Sequence, residues 1–448
     1  MRKYFGTDGV RGIANSDLSA EFAYRVGAAG AFVLKKHQQS SSETVKIVIG
    51  TDTRISKDML SSAIAAGVMS VGVDVIDVGI APTPAVAYLT RKYGADAGVV
   101  ISASHNPAEY NGIKFFDSKG FKLPDELEEE IEYYMEHPPE RKAEKVGRKV
   151  EEHEAGSAYS SFVASCIEND LSGLNVTIDC SNGAAYSIAP KVFDDLGAKV
   201  HVIGNSPDGY NINLNCGSTH MEALREAVIR HSSDIGIAYD GDADRFLAVD
   251  EKGEIVDGDK LLLIAAKNFK KKGKLKNNTL VVTVMSNLGL KIAAQELGIN
   301  LSITAVGDRY VLADMLEKDY CMGGEQSGHM IFSDYNTTGD GILSSLIICN
   351  IMKEEGKKLN ELASIMEVYP QVLINAKVKP ENKNLYLDDI DIQNEIKRIE
   401  EVFHGKGRVL IRPSGTEPLV RVMIEGKDTQ IIEKEAKNLV SLIESKLS

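Results

Sequence analysis

The sequence predicts an α/β protein: three related α/β domains with mainly parallel mixed sheets, then a small C-terminal α+β domain. Three observations carry this. Strand-like apolar runs alternate with helical patterns through most of the chain, the order that βαβ units and parallel sheets require. The chain has 448 residues, more than one core holds, and its length suggests about three domains. After about Tyr369 the order changes to strand, helix, two strands and a helix.

The elements follow in order. In the first block the strand candidates are 45–50, 73–78 and 97–102, separated by helical patterns near 58–71 and 85–92. The stretch 125–154 is crowded with charge and contains Pro138-Pro139. It reads as an exposed helix, a break and a polar linker. The second block has strands at 176–180, 199–203 and 234–239. The third has strands at 280–284 and 301–305, with helices at 258–271 and 288–297. The last block reads as strand 372–378, helix 388–403, strands 408–411 and 419–425, and helix 429–445. These patterns place domains at 1–153, 154–255, 256–368 and 369–448. The lysine-rich run 267–276 reads as a solvated helix end and turn.

Composition narrows the class. The chain is 43% hydrophobic and 26% charged, as soluble globular proteins are. A net charge of −14 lacks the basic footprint of a nucleic-acid binder, yet a local cationic pocket for phosphates remains compatible with it. The five cysteines, Cys166, Cys180, Cys216, Cys321 and Cys349, are scattered without a C-x-x-C, which points to a reducing compartment and away from zinc ribbons or redox dithiols. The start has no apolar h-region, and no run approaches the ~20 residues of a membrane span. A cytoplasmic protein is expected.

Asp240-Gly241-Asp242-Ala243-Asp244-Arg245 is the strongest chemical signal. Three carboxylates that close repel one another by roughly 1–4 kcal/mol per pair at surface-like dielectric. A cation must offset this, and an oxygen-only ligand set points to a hard ion such as Mg²⁺. The spacing nearly fits a calcium-binding helix–loop–helix motif, but the sixth place of that loop needs glycine and here is Arg245. The flanks also read as strands. Replacing Asp242 by Asn is expected to remove activity and spare the fold, because it relieves repulsion.

Other motifs are weaker singly. Ile101-Ser102-Ala103-Ser104-His105-Asn106-Pro107 follows a strand and presents a hydroxyl on a tight loop; spacing does not rank Ser102 against Ser104. Gly323-Gly324-Glu325-Gln326-Ser327-Gly328-His329 lets backbone approach a ligand and offers groups for sugar hydroxyls and for acid–base work. Arg412-Pro413-Ser414-Gly415-Thr416-Glu417-Pro418, with Arg421, suits a phosphate cradle. Gly6 to Gly12 and Asn111 to Phe115 each place a cation, Arg11 or Lys114, near a glycine. Any of these alone reads equally as an ordinary turn or a solvated residue. No P-loop and no G-x-G-x-x-G occurs.

Together, and in this order, the five motifs resemble the α-D-phosphohexomutase superfamily over essentially the whole chain. Lys3 to Gly12 and Gly324 to His329 are most similar to the members acting on glucosamine phosphates. The resemblance implies four domains around a central cleft, each giving one loop. It implies interconversion of glucosamine 6-phosphate and glucosamine 1-phosphate through a phosphoserine enzyme and a bisphosphorylated sugar; glucose or mannose phosphates are the alternative. Ser104 would be the phosphorylated residue. Asp240, Asp242 and Asp244 would hold Mg²⁺, completed by a phosphate oxygen on Ser104. Lys114 and His329 would transfer protons. Glu325 and Ser327 would contact sugar hydroxyls, and Arg412, Ser414, Gly415, Thr416 and Arg421 the phosphate that is not reacting. Arg11, Arg245, Gly307 and Asp308 would line the cleft. The implied partners are a phosphosugar, a sugar bisphosphate as activator and a second copy in a homodimer, with no nucleic acid and no membrane. Many relatives have Gly where Ala243 stands; a methyl there is expected to leave the carboxylate spacing intact.

Overall fold

Runs of apolar residues buried on both faces form the centre of the three sheets that contain parallel strands, as strands covered by helices require. The computed structural model describes residues 3–6, 8–37, 45–139, 145–414 and 417–448. The first sheet comprises β1 (Phe5–Gly6), β2 (Gly9–Ile13), β3 (Lys46–Thr51), β4 (Asp74–Ile80), β5 (Ala97–Ile101), β6 (Tyr110–Asp117) and β7 (Lys149–Glu151), in the order β1-β2-β6-β5-β3-β4-β7. The second comprises β8 (Asn175–Asp179), β9 (Lys199–Ile203), β10 (Ile235–Tyr239), β11 (Phe246–Asp250) and β12 (Ile255–Val256), in the order β12-β11-β10-β8-β9. The third is β13 (Thr279–Thr283), β14 (Asn300–Thr304), β15 (Met322–Gly324) and β16 (Met330–Phe332), in the order β14-β13-β15-β16.

One topology repeats in all three. Strands β4-β3-β5, β9-β8-β10 and β14-β13-β15 are parallel triplets. The next strand, β6, β11 or β16, folds back antiparallel on the triplet's outer member. The loops bearing Ser104, the aspartates and Glu325 are therefore the same hairpin in three copies. Each lies at the carboxyl end of a parallel strand, where α/β folds place ligands.

Two parts of 125–154 differ from expectation. The helix Asp125–Glu136 is not simply exposed: Ile131 and Met135 are buried in the first core. Residues 149–151, expected as linker, form β7 and pair in parallel with β4. Many elements were not expected, among them helices Ala155–Ser165, Glu222–His231 and Gly341–Glu355, helix Ala20–Lys36, capped by the Ser19 hydroxyl accepting the Phe22 N–H, and the antiparallel strand β6.

The chain divides into two units, Met1–Met285 with Ile299–Ile365, and Ser286–Gly298 with Met366–Ser448. The second unit contains β17 (Gln371–Lys377), β18 (Gly407–Pro413) and β19 (Leu419–Gly426), antiparallel in the order β17-β19-β18. Helices Ile390–Val402 and Thr429–Leu447 cover one face, with Ile399, Leu439 and Ile443 packed on Val422 and Ile424. Helix Leu288–Glu296 belongs here too, because Asn287, its cap, donates to the Tyr369 carbonyl at 2.9 Å. Among the described residues no helix is long and apolar enough to cross a membrane.

Candidate active site

The hairpin loop after β5 turns at Ser104, which holds a left-handed φ of +52°. That conformation aims its Oγ at Asp240, whose Oδ2 accepts the hydroxyl at 2.6 Å. Ser102, which spacing could not separate from Ser104, is otherwise engaged. Its hydroxyl donates to Asp52 at 2.5 Å and accepts the Ser104 N–H at 3.0 Å. The fold thus chooses Ser104 as the presented hydroxyl.

The aspartate loop is held by its own backbone. The carbonyls of Gly241, Asp242 and Ala243 accept N–H groups from Ala184, Thr83 and Gly341 at 2.8, 2.9 and 3.0 Å. Gly241 has no room for a side chain: a Cβ there would lie 2.5 Å from the Ser104 carbonyl oxygen. Gly241→Ala is expected to displace the Ser104 loop and lower kcat by roughly 100-fold, the cost of about 1 Å of misplacement. Steady-state assay of that variant checks this. Ala243 stands at φ +54°, strained for a residue with a Cβ. The methyl is compatible with the carboxylate spacing but costs the backbone about 1 kcal/mol. Ala243→Gly is expected to raise the melting temperature by roughly 2 °C, measured by calorimetry.

Oxygen atoms from Asp240, Asp242 and Asp244 come within 4.8 Å of one another, all buried. Oδ1 of Asp242 and Oδ1 of Asp244 are buried without a hydrogen-bond donor. Buried anionic oxygens without donors in such a cluster fit a hard divalent cation. The three are not electrostatically equal. Burial, then Asp244 and Asp242, push the Asp240 carboxyl well above the ordinary range. Burial also acts on Asp242, but Lys114 and the Thr83 hydroxyl override it and hold that carboxyl low. Asp242 Oδ2 receives Thr83 Oγ1 at 2.7 Å and Lys114 Nζ at 3.1 Å.

Lys114 sits on β6 opposite Val100 and is 2% exposed. Its ammonium lies 3.0 Å from Asp8 and 3.1 Å from Asp242. Burial alone would lower its pKa, but Asp242, Asp8 and Asp244 raise it, so it keeps its proton. Asp8 also pairs with Arg11 and, at 2.5 Å, with Lys122, which reaches Asp308 at 2.5 Å on its other side. Asp8, Lys122, Asp52, Arg54, Thr83 and Asn213 were not singled out from the sequence. Their signal is pairing across distant segments, which one sequence does not display.

The third hairpin meets the second through an antiparallel bridge between Arg245 and His329. The Arg245 N–H donates to Asp240 at 3.2 Å, and its Nε lies 3.8 Å from Asp244. His329 is 2% exposed, with Nδ1 3.6 Å from Asp244 and Nε2 3.7 Å from Asp308. Burial would lower its pKa, but Asp244, Asp308 and Glu325 raise it to about 9. The Gly339 N–H approaches Nε2 at 3.2 Å, which favours a neutral ring. The three carboxylates favour the imidazolium and the amide favours the neutral ring. Glu325 accepts the Gly307 N–H at 3.0 Å, next to Asp308 at the start of helix Asp308–Glu317. Ser327 is exposed at the hairpin tip. The first unit therefore brings together Ser104, the three aspartates, Lys114, Arg11, Arg245, His329, Asp308, Gly307 and Glu325.

In the second unit, Arg412 and Arg421 face each other across β18 and β19. Burial and then Arg421 lower the Arg412 pKa. Like charges opposite one another destabilise a sheet, and the Glu417 carboxylate lies 3.8 Å from Arg421 Nη2. Lys383 adds a third cation, donating to the Ser414 carbonyl at 2.9 Å. Gly415 and Thr416 lie outside the described residues.

Four family models match in chain order. They are phosphoglucomutase/phosphomannomutase α/β/α domain I over residues 2–142, domain II over 157–253, domain III over 257–369 and the C-terminal domain over 373–442. The chain is 61% identical over 452 residues to a phosphoglucosamine mutase of Clostridioides difficile, covering 100% of both. It is 58% identical over 450 residues to one of Clostridium acetobutylicum, again covering 100% of both. Among solved structures, a phosphoglucomutase/phosphomannomutase family protein of Burkholderia thailandensis matches with TM-score 0.81 at 21% identity, covering 98% of this chain and 97% of that one. Aspergillus fumigatus N-acetylphosphoglucosamine mutase, solved with GlcNAc-6P and magnesium, matches with TM-score 0.69 at 18% identity, covering 100% and 96%. At such identities the two structures speak to fold alone.

Proposed function

The chain belongs to the phosphoglucomutase/phosphomannomutase family, and from that premise we propose that it interconverts glucosamine 6-phosphate and glucosamine 1-phosphate through a phosphoserine at Ser104. The observation that carries the reading is the Ser104 hydroxyl, held 2.6 Å from Asp240 in a cluster of three buried aspartates. Full-length relatives named phosphoglucosamine mutase at 57–61% identity support the choice of substrate.

In the forward half, the phosphorylated Ser104 gives its phosphoryl group to a hydroxyl of the sugar monophosphate. The Oγ–P bond breaks as the sugar O–P bond forms, leaving a bisphosphorylated sugar. That sugar turns end for end, and its other phosphoryl group returns to Ser104. Asp240, Asp242 and Asp244 would hold Mg²⁺ with a phosphate oxygen on Ser104; when bound, it neutralises charge on the phosphoryl oxygens. A loose transition state asks little of a base and much of fixed positive charge. Each half moves one proton from the attacking hydroxyl to the departing oxygen: Lys114 or His329 would give its proton to the departing oxygen and be reprotonated by the one the attacking hydroxyl releases. Arg11, Arg245, Gly307 and Asp308 would line the sugar's space, and Glu325 and Ser327 would contact its hydroxyls.

The phosphate that is not reacting is assigned to Arg412, Ser414, Gly415, Thr416 and Arg421. Phosphoserine is exposed to hydrolysis unless water is excluded during transfer. Segments 1–153, 154–255, 256–368 and 369–448 are read as the bearers of the phosphoserine, metal, sugar and phosphate loops. A cytoplasmic enzyme with a phosphosugar partner and a sugar bisphosphate activator completes the reading. Turnover of glucosamine 6-phosphate, glucose 1-phosphate and mannose 1-phosphate by the purified protein with Mg²⁺ tests it. The glucosamine phosphate should have the highest kcat/KM; preference for glucose or mannose phosphates would overturn the substrate assignment.

A further inference from the structure

Asn213 lies on the long connection between β9 and helix Glu222–His231, yet its side chain reaches the Ser104 loop of the first sheet. Its Nδ2 donates to the Ser104 carbonyl at 2.9 Å and to the Asn106 carbonyl at 3.1 Å. Arg54, fully buried, donates through Nη2 to the same two carbonyls, at 3.2 and 2.5 Å. With the Ser104 N–H donated to Ser102, both backbone polar groups of the serine are held. A serine at φ +52° keeps that conformation only when its surroundings fix it.

The donor is itself fixed. Asn213 is 7% exposed, and its N–H donates to the Ser181 carbonyl at 2.9 Å. It stands at φ +59°, a value asparagine adopts more readily than most residues. Its Nδ2 also lies where a Cβ on Gly241 would meet it, at 2.9 Å, so Asn213, Gly241 and Ser104 share one packed contact.

We infer that Asn213 is a positioning residue for the phosphoryl-carrying serine, tying the nucleophile loop to the domain that carries the aspartates. Arg54 holds the loop from the nucleophile's own domain, and Asn213 holds it from the other. This rests on the reading of Ser104 as the phosphate carrier.

The test uses the full-length protein incubated with glucose 1,6-bisphosphate and Mg²⁺, as wild type, Asn213→Asp and Asn213→Gly. Both replacements tolerate the left-handed backbone and lack the donor, and glycine adds no charge. In both, the phosphoserine ³¹P resonance is expected to shift or broaden. The kcat is expected to fall roughly 10- to 100-fold with KM within about twofold of wild type, as a loss confined to the reacting geometry requires. A lower melting temperature with unchanged ³¹P shift and unchanged kcat per phosphorylated enzyme would mean loop packing only, and would overturn the inference. A wild type with no phosphoserine resonance would overturn the reading beneath it, and the inference with it.

Discussion

Ser104→Ala should lose roughly 10⁴- to 10⁶-fold in kcat, the scale on which removal of a covalent nucleophile is felt. Neither of the two groups beside Ser104 is placed to take over. The Ser102 hydroxyl is buried and committed to Asp52. His105 Nδ1 is 3.3 Å from Ser104 Oγ, but that contact places it beside the serine rather than on Asp240. Intact mass after incubation with a sugar bisphosphate should show one added phosphate on wild type, within the peptide containing residue 104, and none on the variant. Residual activity above about one per cent of wild type, far beyond that expected range, would mean that the phosphate travels by another residue.

The second large effect separates two aspartates that look equivalent in sequence. Asp240→Asn and Asp242→Asn should both abolish turnover, yet move stability in opposite directions. Asp242 is the counter-ion of a buried lysine, with Lys114 Nζ at 3.1 Å. Asn keeps an acceptor for Thr83 but leaves Lys114 with Asp8 as its one ion pair and Asp244 farther off. Breaking a buried pair costs about 3–5 kcal/mol, and the remaining Asp8 places this case near the lower end. Asp242→Asn therefore does not spare the fold, because the repulsion it relieves is smaller than the ion pair it breaks. The residue under repulsion is Asp240, whose carboxyl is raised by burial and its two neighbours. Asp240→Asn removes that repulsion and should be neutral or stabilising by about 1 kcal/mol. Melting with and without MgCl₂ decides it. The variants should melt in the order Asp240→Asn above Asp242→Asn, and both should lose the Mg²⁺-dependent rise of wild type. The reverse order would place Lys114 on a different partner.

The same assignment fixes a pH dependence. A raised carboxyl pKa means that the metal-free fold becomes less stable as pH rises from the ordinary carboxylate range, near 4, towards the raised value. Mg²⁺ binding requires the ionised form. The rise in melting temperature on adding Mg²⁺ should therefore shrink as pH falls into the range where Asp240 holds its proton. A Mg²⁺ effect that stays constant across that range would contradict the raised Asp240.

Legibility differed by element. Strands such as 97–101 and 235–239 could be read because burial on both faces leaves an unbroken apolar run. Helix Ala20–Lys36 escaped although its partner Lys57–Ser70 was read. The two cross at glycines from both sides, where a Cβ on Gly27 would lie 2.5 Å from the Ile64 carbonyl and one on Gly67 would meet the Tyr24 carbonyl. Strand β6 escaped as well. Lys114 reads as a solvated cation until β5 and the aspartate loop bury it at 2% exposure.

The sequence by itself determined the repeating α/β plan and the residue types that bear the chemistry. Those depend on local periods, turn residues and carboxylate spacing, which one chain displays directly. Only the tertiary structure decided that Ser104 rather than Ser102 faces the aspartates, that Lys114 pairs with Asp242 and leaves Asp240 repelled, and that Arg54 and Asn213 hold the loop. Each of these is a contact between segments 50 to 136 positions apart. Its energy depends on burial and distance, and neither quantity exists until the chain has folded.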